Sequence, residues 1–131
     1  MQKSLNSIHK YIAQNMNRPF KWGEFDCCMF ACDIIVLAGG EDFAKNVRGS
    51  YTTEIGAKRV LKKHFGTMLD AFDSLPEIAF NFVQRGDLTL FDTDNGEVMG
   101  MHWGDGFFAV SKTGLGVMKQ IDKPIKSWRV G

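Results

Sequence analysis

Trp22-Gly23-Glu24-Phe25-Asp26-Cys27-Cys28 opens the segment whose reading decides the fold. From Cys27 to Ala38 the chain runs Cys-Cys-Met-Phe-Ala-Cys-Asp-Ile-Ile-Val-Leu-Ala, apolar on every side except at Asp33. A helix with no polar face belongs inside a domain. Gly39-Gly40 supplies the stop, because glycine adopts the left-handed conformation that a helix end favours. Asp26 reads as the N-cap: its carboxylate can accept hydrogen bonds from first-turn N–H groups and sits at the positive end of the helix dipole. Cys27 then falls in the first turn, where free N–H groups and the dipole favour a thiolate. That placement suits a nucleophilic cysteine with backbone N–H groups as an oxyanion site. It suits equally well a small core side chain, since free cysteine is among the most buried residue types.

Upstream, Leu5, Ile8, Tyr11, Ile12 and Met16 recur at helical spacing and predict an amphipathic helix from about Ser4 to Met16, ended by Pro19. His9 lies beside that stripe. Downstream, Asp42 to Tyr51 is irregular and carries Arg48, a candidate partner for Asp33 because a buried carboxylate needs pairing. Thr52 or Thr53 caps the next helix, which runs to about His64 with Ile55, Val60, Leu61 and Phe65 inward. Lys58, Arg59, Lys62 and Lys63 read as its solvated face. A short helical turn around Leu69 to Leu75 follows, closed by Pro76.

From Gly86 the hydrophobic period changes from helical to alternating. Leu88 to Phe91, Val98 to Trp103 and Phe107 to Ser111 read as strands, with Asn95-Gly96 and Asp105-Gly106 in the connecting turns. Gly114 to Gly116 reads as a further turn, Val117 to Ile121 as the strand beyond it, and Ser127 to Val130 as a closing strand after the interruption at Pro124. Helices first and an antiparallel meander second give an α+β class, the central helix packed on the sheet, in one domain spanning residues 1–131.

Sixteen basic residues against fifteen acidic ones give no electrostatic case for nucleic acid or an anionic membrane. The three cysteines lie within Cys27 to Cys32 on one predicted helix and cannot form a disulfide framework. Their spacing fits no usual zinc pattern, so no metal and no cofactor is expected. The N-terminal stretch Met1 to Lys10 lacks the apolar core of a signal peptide, and the longest apolar run is too short to span a bilayer. Synthesis in a reducing cytoplasm without membrane insertion is the expectation.

Pro19-Phe20-Lys21-Trp22-Gly23, then Asp26-Cys27, then Gly86-Asp87-Leu88, then Gly100-Met101-His102-Trp103-Gly104-Asp105-Gly106 come in an order that resembles the NlpC-type cell-wall cysteine peptidases. That papain-like superfamily hydrolyses peptide bonds in peptidoglycan stems. The likeness is strongest to a short branch found in tailed phages, prophages and their bacterial hosts. The branch pattern is Trp-Gly-x-x-Asp-Cys, Arg-Gly-x-Tyr, Gly-Asp and a terminal Trp-Arg. Here those are Trp22 to Cys27, Arg48 to Tyr51, Gly86-Asp87 and Trp128-Arg129, so the likeness covers about residues 19–130.

The resemblance implies a papain-like fold with Cys27 at the nucleophile position. It also implies a histidine where this chain has Val98, a second polar residue where it has Val110, and a tyrosine where it has Phe20. His102 is the candidate substitute base, since Val98, Gly100 and His102 share one side of their strand. It stands two residues beyond the lost position, roughly 6.6 Å along a strand, so only a two-residue register slide would bring it level with Cys27. Two functional expectations follow. In one, a degenerate peptidoglycan-hydrolase relative serves as a structural or assembly component of a phage-type tail, with other tail or tail-tip proteins as partners. In the other, an active cysteine peptidase uses Cys27 as nucleophile and His102 as base on peptidoglycan stem peptides.

Overall fold

The structure, a computed structural model, describes residues 4–131; Met1 to Lys3, part of the N-terminal stretch read above, lie outside the described residues. Helix α1 spans Leu5–Asn15 and is N-capped by Ser4, whose side chain accepts from the Ser7 N–H. Ile8 and Ile12 are its buried residues, whereas Leu5 and Met16, at the ends of the predicted stripe, stay exposed. Helix α2 spans Cys27–Leu37 and is the buried helix that the composition demands: Cys28, Met29, Phe30, Ala31, Cys32, Ile34 and Ile35 are all buried. Asp26 caps it, accepting from the Met29 N–H at 2.9 Å. The chain leaves α2 through Gly39 at φ 91.

Helix α3 (Glu54–Phe65) is capped by Thr53, and α4 (Met68–Ala71) by Thr67. Ala57 is the one buried residue of α3, and Ile55 is 71% exposed rather than inward. It occupies the first turn, on the side that the lysines share. Phe65, at the other end, does pack inward against Phe72.

The sheet has six antiparallel strands in the order β1-β6-β2-β3-β4-β5. They are β1 (Glu77–Ile78), β2 (Leu88–Thr93), β3 (Gly96–Trp103), β4 (Gly106–Ser111), β5 (Gly114–Val117) and β6 (Pro124–Trp128). The three predicted strands of the meander are present, each slightly longer than read. Three later expectations are corrected, the first being the strand read over Val117 to Ile121, since β5 ends at Val117 and no strand follows before Pro124. The turn expected at Gly114 to Gly116 lies at Lys112-Thr113, and the glycines instead open β5, which pairs Gly114 with Ser111 and Gly116 with Ala109. The closing strand begins at Pro124 rather than Ser127. Pro124 sits opposite Phe91, where the β2–β6 register shifts, and a strand end at an irregularity is where a residue without an N–H is tolerated. The pair β1 and the 3-10 turn Phe80–Phe82 carry no readable period and were not expected.

Alternation gives the sheet two different faces. Leu88, Leu90, Met99 and Met101 join the core built on α2, together with Trp128, Val110 and Leu115. The opposite face carries Phe91, Phe107 and Phe80, whose rings meet at 4.9–5.8 Å. Gly100 marks the tightest point there, since a Cβ on it would meet Met118 Sδ at 2.6 Å and Phe91 Cε2 at 3.1 Å. The architecture is thus α+β, with N-terminal helices packed on a C-terminal antiparallel sheet. No helix among the described residues is long and apolar enough to cross a membrane.

Candidate functional site

The site centres on the start of α2, where an extended Asp26 hands over to a helical Cys27. One carboxylate organises the surroundings. Asp26 Oδ2 accepts from the Gly23 N–H at 2.9 Å and from the Tyr51 hydroxyl at 2.7 Å, while Oδ1 holds the Met29 N–H. Both Asp26 and Tyr51 are buried. Burial, followed by the hydrogen bond to Asp26, raises the Tyr51 pKa far above the ordinary phenol value, so the hydroxyl is a donor throughout the physiological range. Gly23 has φ 83, and a Cβ there would run into the Tyr51 carbonyl oxygen, so this position requires glycine. The Gly49 N–H donates to the Gly23 carbonyl at 2.8 Å, completing a clasp between the Trp22 loop and the Arg48 to Tyr51 loop.

A second clasp lies about two turns along α2, at Asp33. Arg48 Nη2 pairs with Asp33 Oδ1 at 2.7 Å, as its sequence position suggested, and Tyr11 donates its hydroxyl to Asp33 Oδ2 at 2.6 Å. Arg48 also grips Asp42 through Nε at 2.9 Å. The guanidinium hydrogen bonds hold Asp42 below its ordinary carboxylate pKa. Tyr11 is the member that sequence reasoning does not supply: its spacing puts it in the apolar stripe of α1, although its hydroxyl makes it the one residue of that stripe able to donate to a carboxylate.

Cys27 Sγ itself meets β3. It accepts from the Met99 N–H at 3.1 Å and lies 3.7 Å from the Met99 carbonyl oxygen, to which the thiol can donate. The β3–β4 ladder ends at Met101–Phe108, so the sulfur takes up the backbone groups two residues past the last ladder pair. Part of Cys27 is solvent-accessible, but burial of the thiol pushes its pKa up to about 11. The Met99 N–H opposes that shift and the neighbouring Asp26 carboxylate adds to it. The expectation of a thiol acidified by the helix start is therefore corrected: burial and an adjacent anion outweigh the dipole. Cys28 and Cys32 face each other one helical turn apart. The hydrogen bond between their thiols, with burial, raises the Cys28 pKa.

His102 stands three residues past Met99, about 10 Å along an extended strand. Its ring packs edge-on against Phe107 at 5.0 Å, on the face that carries Phe80 and Phe91 and away from α2. Both backbone groups that meet the sulfur belong to Met99, so Met99, not His102, is level with it. Val98, the position where the resemblance implies a histidine, adjoins that contact. The other histidines are also engaged elsewhere: His9 lies 6.2 Å from the Trp103 ring, and His64 Nε2 is 3.2 Å from the Phe43 carbonyl. Among the described residues, no cluster of three or more His, Cys, Asp or Glu side chains is arranged to hold a metal ion.

The remaining motif residues form a third clasp. Asp87 is fully buried and accepts from the Gln84 N–H at 2.8 Å, the Val130 N–H at 2.9 Å and Arg129 Nε at 3.0 Å. Arg129 also donates to the Phe82 carbonyl at 3.1 Å. Gly86-Asp87 and Trp128-Arg129 are therefore two halves of one structural unit, just as Trp22 to Cys27 and Arg48 to Tyr51 are.

Comparison with curated proteins finds no match. A family match does cover almost the entire chain, including every clasp described above. The chain belongs to the family described as a domain of unknown function, DUF6950, which it matches over residues 2–130.

Proposed function

We propose that this chain is a papain-like scaffold of the NlpC type that has lost its catalytic dyad and serves as a structural or assembly component. The observation that carries this reading is the occupation of Cys27 Sγ by the Met99 backbone, with no imidazole beside it and the thiol pKa at about 11. A cysteine hydrolase needs a thiolate and a general acid for the leaving amine, and both come from a histidine within hydrogen-bond reach. His102 lies on the other face of the sheet, and Val98 and Val110 supply no proton. The motifs that resemble the phage-associated branch act in three structural clasps, which accounts for their presence without catalysis. The same resemblance points to other tail or tail-tip proteins as partners.

The start of α2 also suits an active peptidase, because the Asp26 cap places Cys27 where a nucleophile would stand. One experiment separates the two readings. Purified peptidoglycan is incubated with the wild-type chain and with Cys27→Ala, and the released muropeptides are separated by chromatography. Identical, undigested profiles support the proposal. Stem-peptide cleavage by wild type that vanishes in Cys27→Ala refutes it and establishes the peptidase.

A further inference from the structure

Two surface patches of opposite sign take no part in the clasps. On α3, Lys58, Arg59, Lys62 and Lys63 are all exposed, and among the described residues none of them is in an ion pair. At 3.6 residues per turn they span an arc of about 140°, with Ile55 near its middle. Ile55 is 71% exposed, the most exposed large apolar side chain of the described residues. At the tip of the β2–β3 hairpin, Asp92 and Glu97 are direct cross-strand partners, and Asp94 sits in the turn between them. All three are exposed, and among the described residues none is ion-paired. Like charges placed directly opposite on a sheet repel and destabilise the pair. The adjoining segment contributes Lys119, Asp122 and Lys123, so the tip keeps an acidic excess. Ile121, 39% exposed, borders it, next to the Gln120 side chain that accepts from the Asp94 N–H.

These patches cannot neutralise each other within one chain. The end of α3 reaches the sheet through Phe65, Phe72 and Trp128, and Trp128 is the partner of Leu88 at the start of β2. The acidic tip begins near the opposite end of β2, at Asp92, four residues or about 13 Å farther on. A second copy can bring them together.

We propose that the chain self-associates head to tail, with the basic face of α3 and Ile55 in one copy against the acidic β2–β3 tip of the next. Such a contact is heterologous, so it leaves one patch of each kind open at the ends and builds rings or filaments rather than a closed two-fold dimer. The inference does not depend on whether Cys27 is catalytic.

The test is sedimentation velocity over a concentration series at about 20 mM and about 500 mM salt, between which the screening length falls from about 20 Å to about 4 Å. Wild type should associate at low salt and weaken at least about tenfold at high salt. The paired reversals Lys62→Glu with Lys63→Glu, and Asp94→Lys with Glu97→Lys, should each remain monomeric while keeping wild-type circular dichroism. Mixing the two variants should restore association, because each then presents the patch that the other needs. A wild type that stays monomeric throughout overturns the proposal. So does association indifferent to salt, or a mixture that does not recover. Binding of heparin to α3 by a persistently monomeric chain also overturns it, and assigns the basic face to an anionic polymer.

Discussion

Replacing Asp26 by alanine should be far more damaging than the loss of one helix cap. The cap alone is worth about 1 kcal/mol. Asp26 also satisfies the buried Tyr51 hydroxyl and the Gly23 N–H, at 2.7 and 2.9 Å. Each buried polar group left without a partner costs about 1–3 kcal/mol. With partial access of water to the gap, the expected loss is about 3–5 kcal/mol. That is a large part of the roughly 5–15 kcal/mol that a domain has in total. At an unfolding entropy of about 2.1 cal/mol/K per residue, the melting temperature should fall by about 10–18 °C. Urea and thermal melts followed by circular dichroism measure this directly. Tyr51→Phe alone should cost about 1.5–3 kcal/mol, the range for a hydrogen bond to a charged group. In the double variant the two losses should overlap by at least about 1 kcal/mol, because both remove the same bond. Losses that add within about 0.5 kcal/mol would refute the clasp.

The second clasp predicts an acid-sensitive contribution. Arg48 hydrogen bonds depress the Asp42 pKa in the folded state, so the unfolded chain binds the proton more readily. That contribution is present above the ordinary aspartate pKa and is lost as pH falls through the depressed folded value. Arg48→Ala should cost about 1–2 kcal/mol at neutral pH, the pair being partly exposed, and should flatten this acid limb in melts taken across the carboxylate range. Asp87→Ala leaves Arg129 and the Val130 N–H without their buried acceptor, and should cost about 3–5 kcal/mol. Hydrogen exchange should then find the Val130 amide exposed well before global unfolding. Gly100→Ala should destabilise by about 1–3 kcal/mol through overpacking. Its readout is a thermal melt, with the companion Met118→Ala, which makes room for the methyl, recovering part of the loss.

Much of the fold was legible because its signals are local. Asp26 before an apolar run marks a capped buried helix, and alternation between Leu88 and Ser111 marks strands whatever lies around them. The Arg48–Asp33 pair was also within reach, since a carboxylate in an apolar helix demands a cation. Other features depend on distant partners. Gly114 and Gly116 resemble turn residues until the pairing with β4 is known. Pro124 resembles a break until the register shift opposite Phe91 admits it. Ile55 is apolar and reads as inward by type, but helical spacing sets it among Lys58, Arg59, Lys62 and Lys63, opposite the buried Ala57.

The place of Cys27 at a helix start was legible, and its surroundings were not. Cys27 stands where the helix start placed it. Two features oppose the dipole at Cys27: the depth at which the thiol packs, which no sequence states, and the Asp26 carboxylate next door, which this one does. His102 shared the side of its strand with Val98, as alternation required. Which side faces α2 was set by Met99 and Met101 entering the core, and one strand read alone cannot decide that.

An unactivated Cys27 thiol is what most separates a structural component from a peptidase here. The direct measurement is the iodoacetamide alkylation rate of Cys27 in the native chain as a function of pH, resolved from Cys28 and Cys32 by tandem mass spectrometry of the peptides. With a pKa of about 11, the thiolate fraction at neutral pH is about 300-fold below that of a free cysteine of pKa about 8.5. The rate should climb about tenfold per pH unit with no plateau below about pH 10. A plateau reached near neutral pH, and lost in His102→Ala, would show a thiolate paired with an imidazole and contradict the account at its centre.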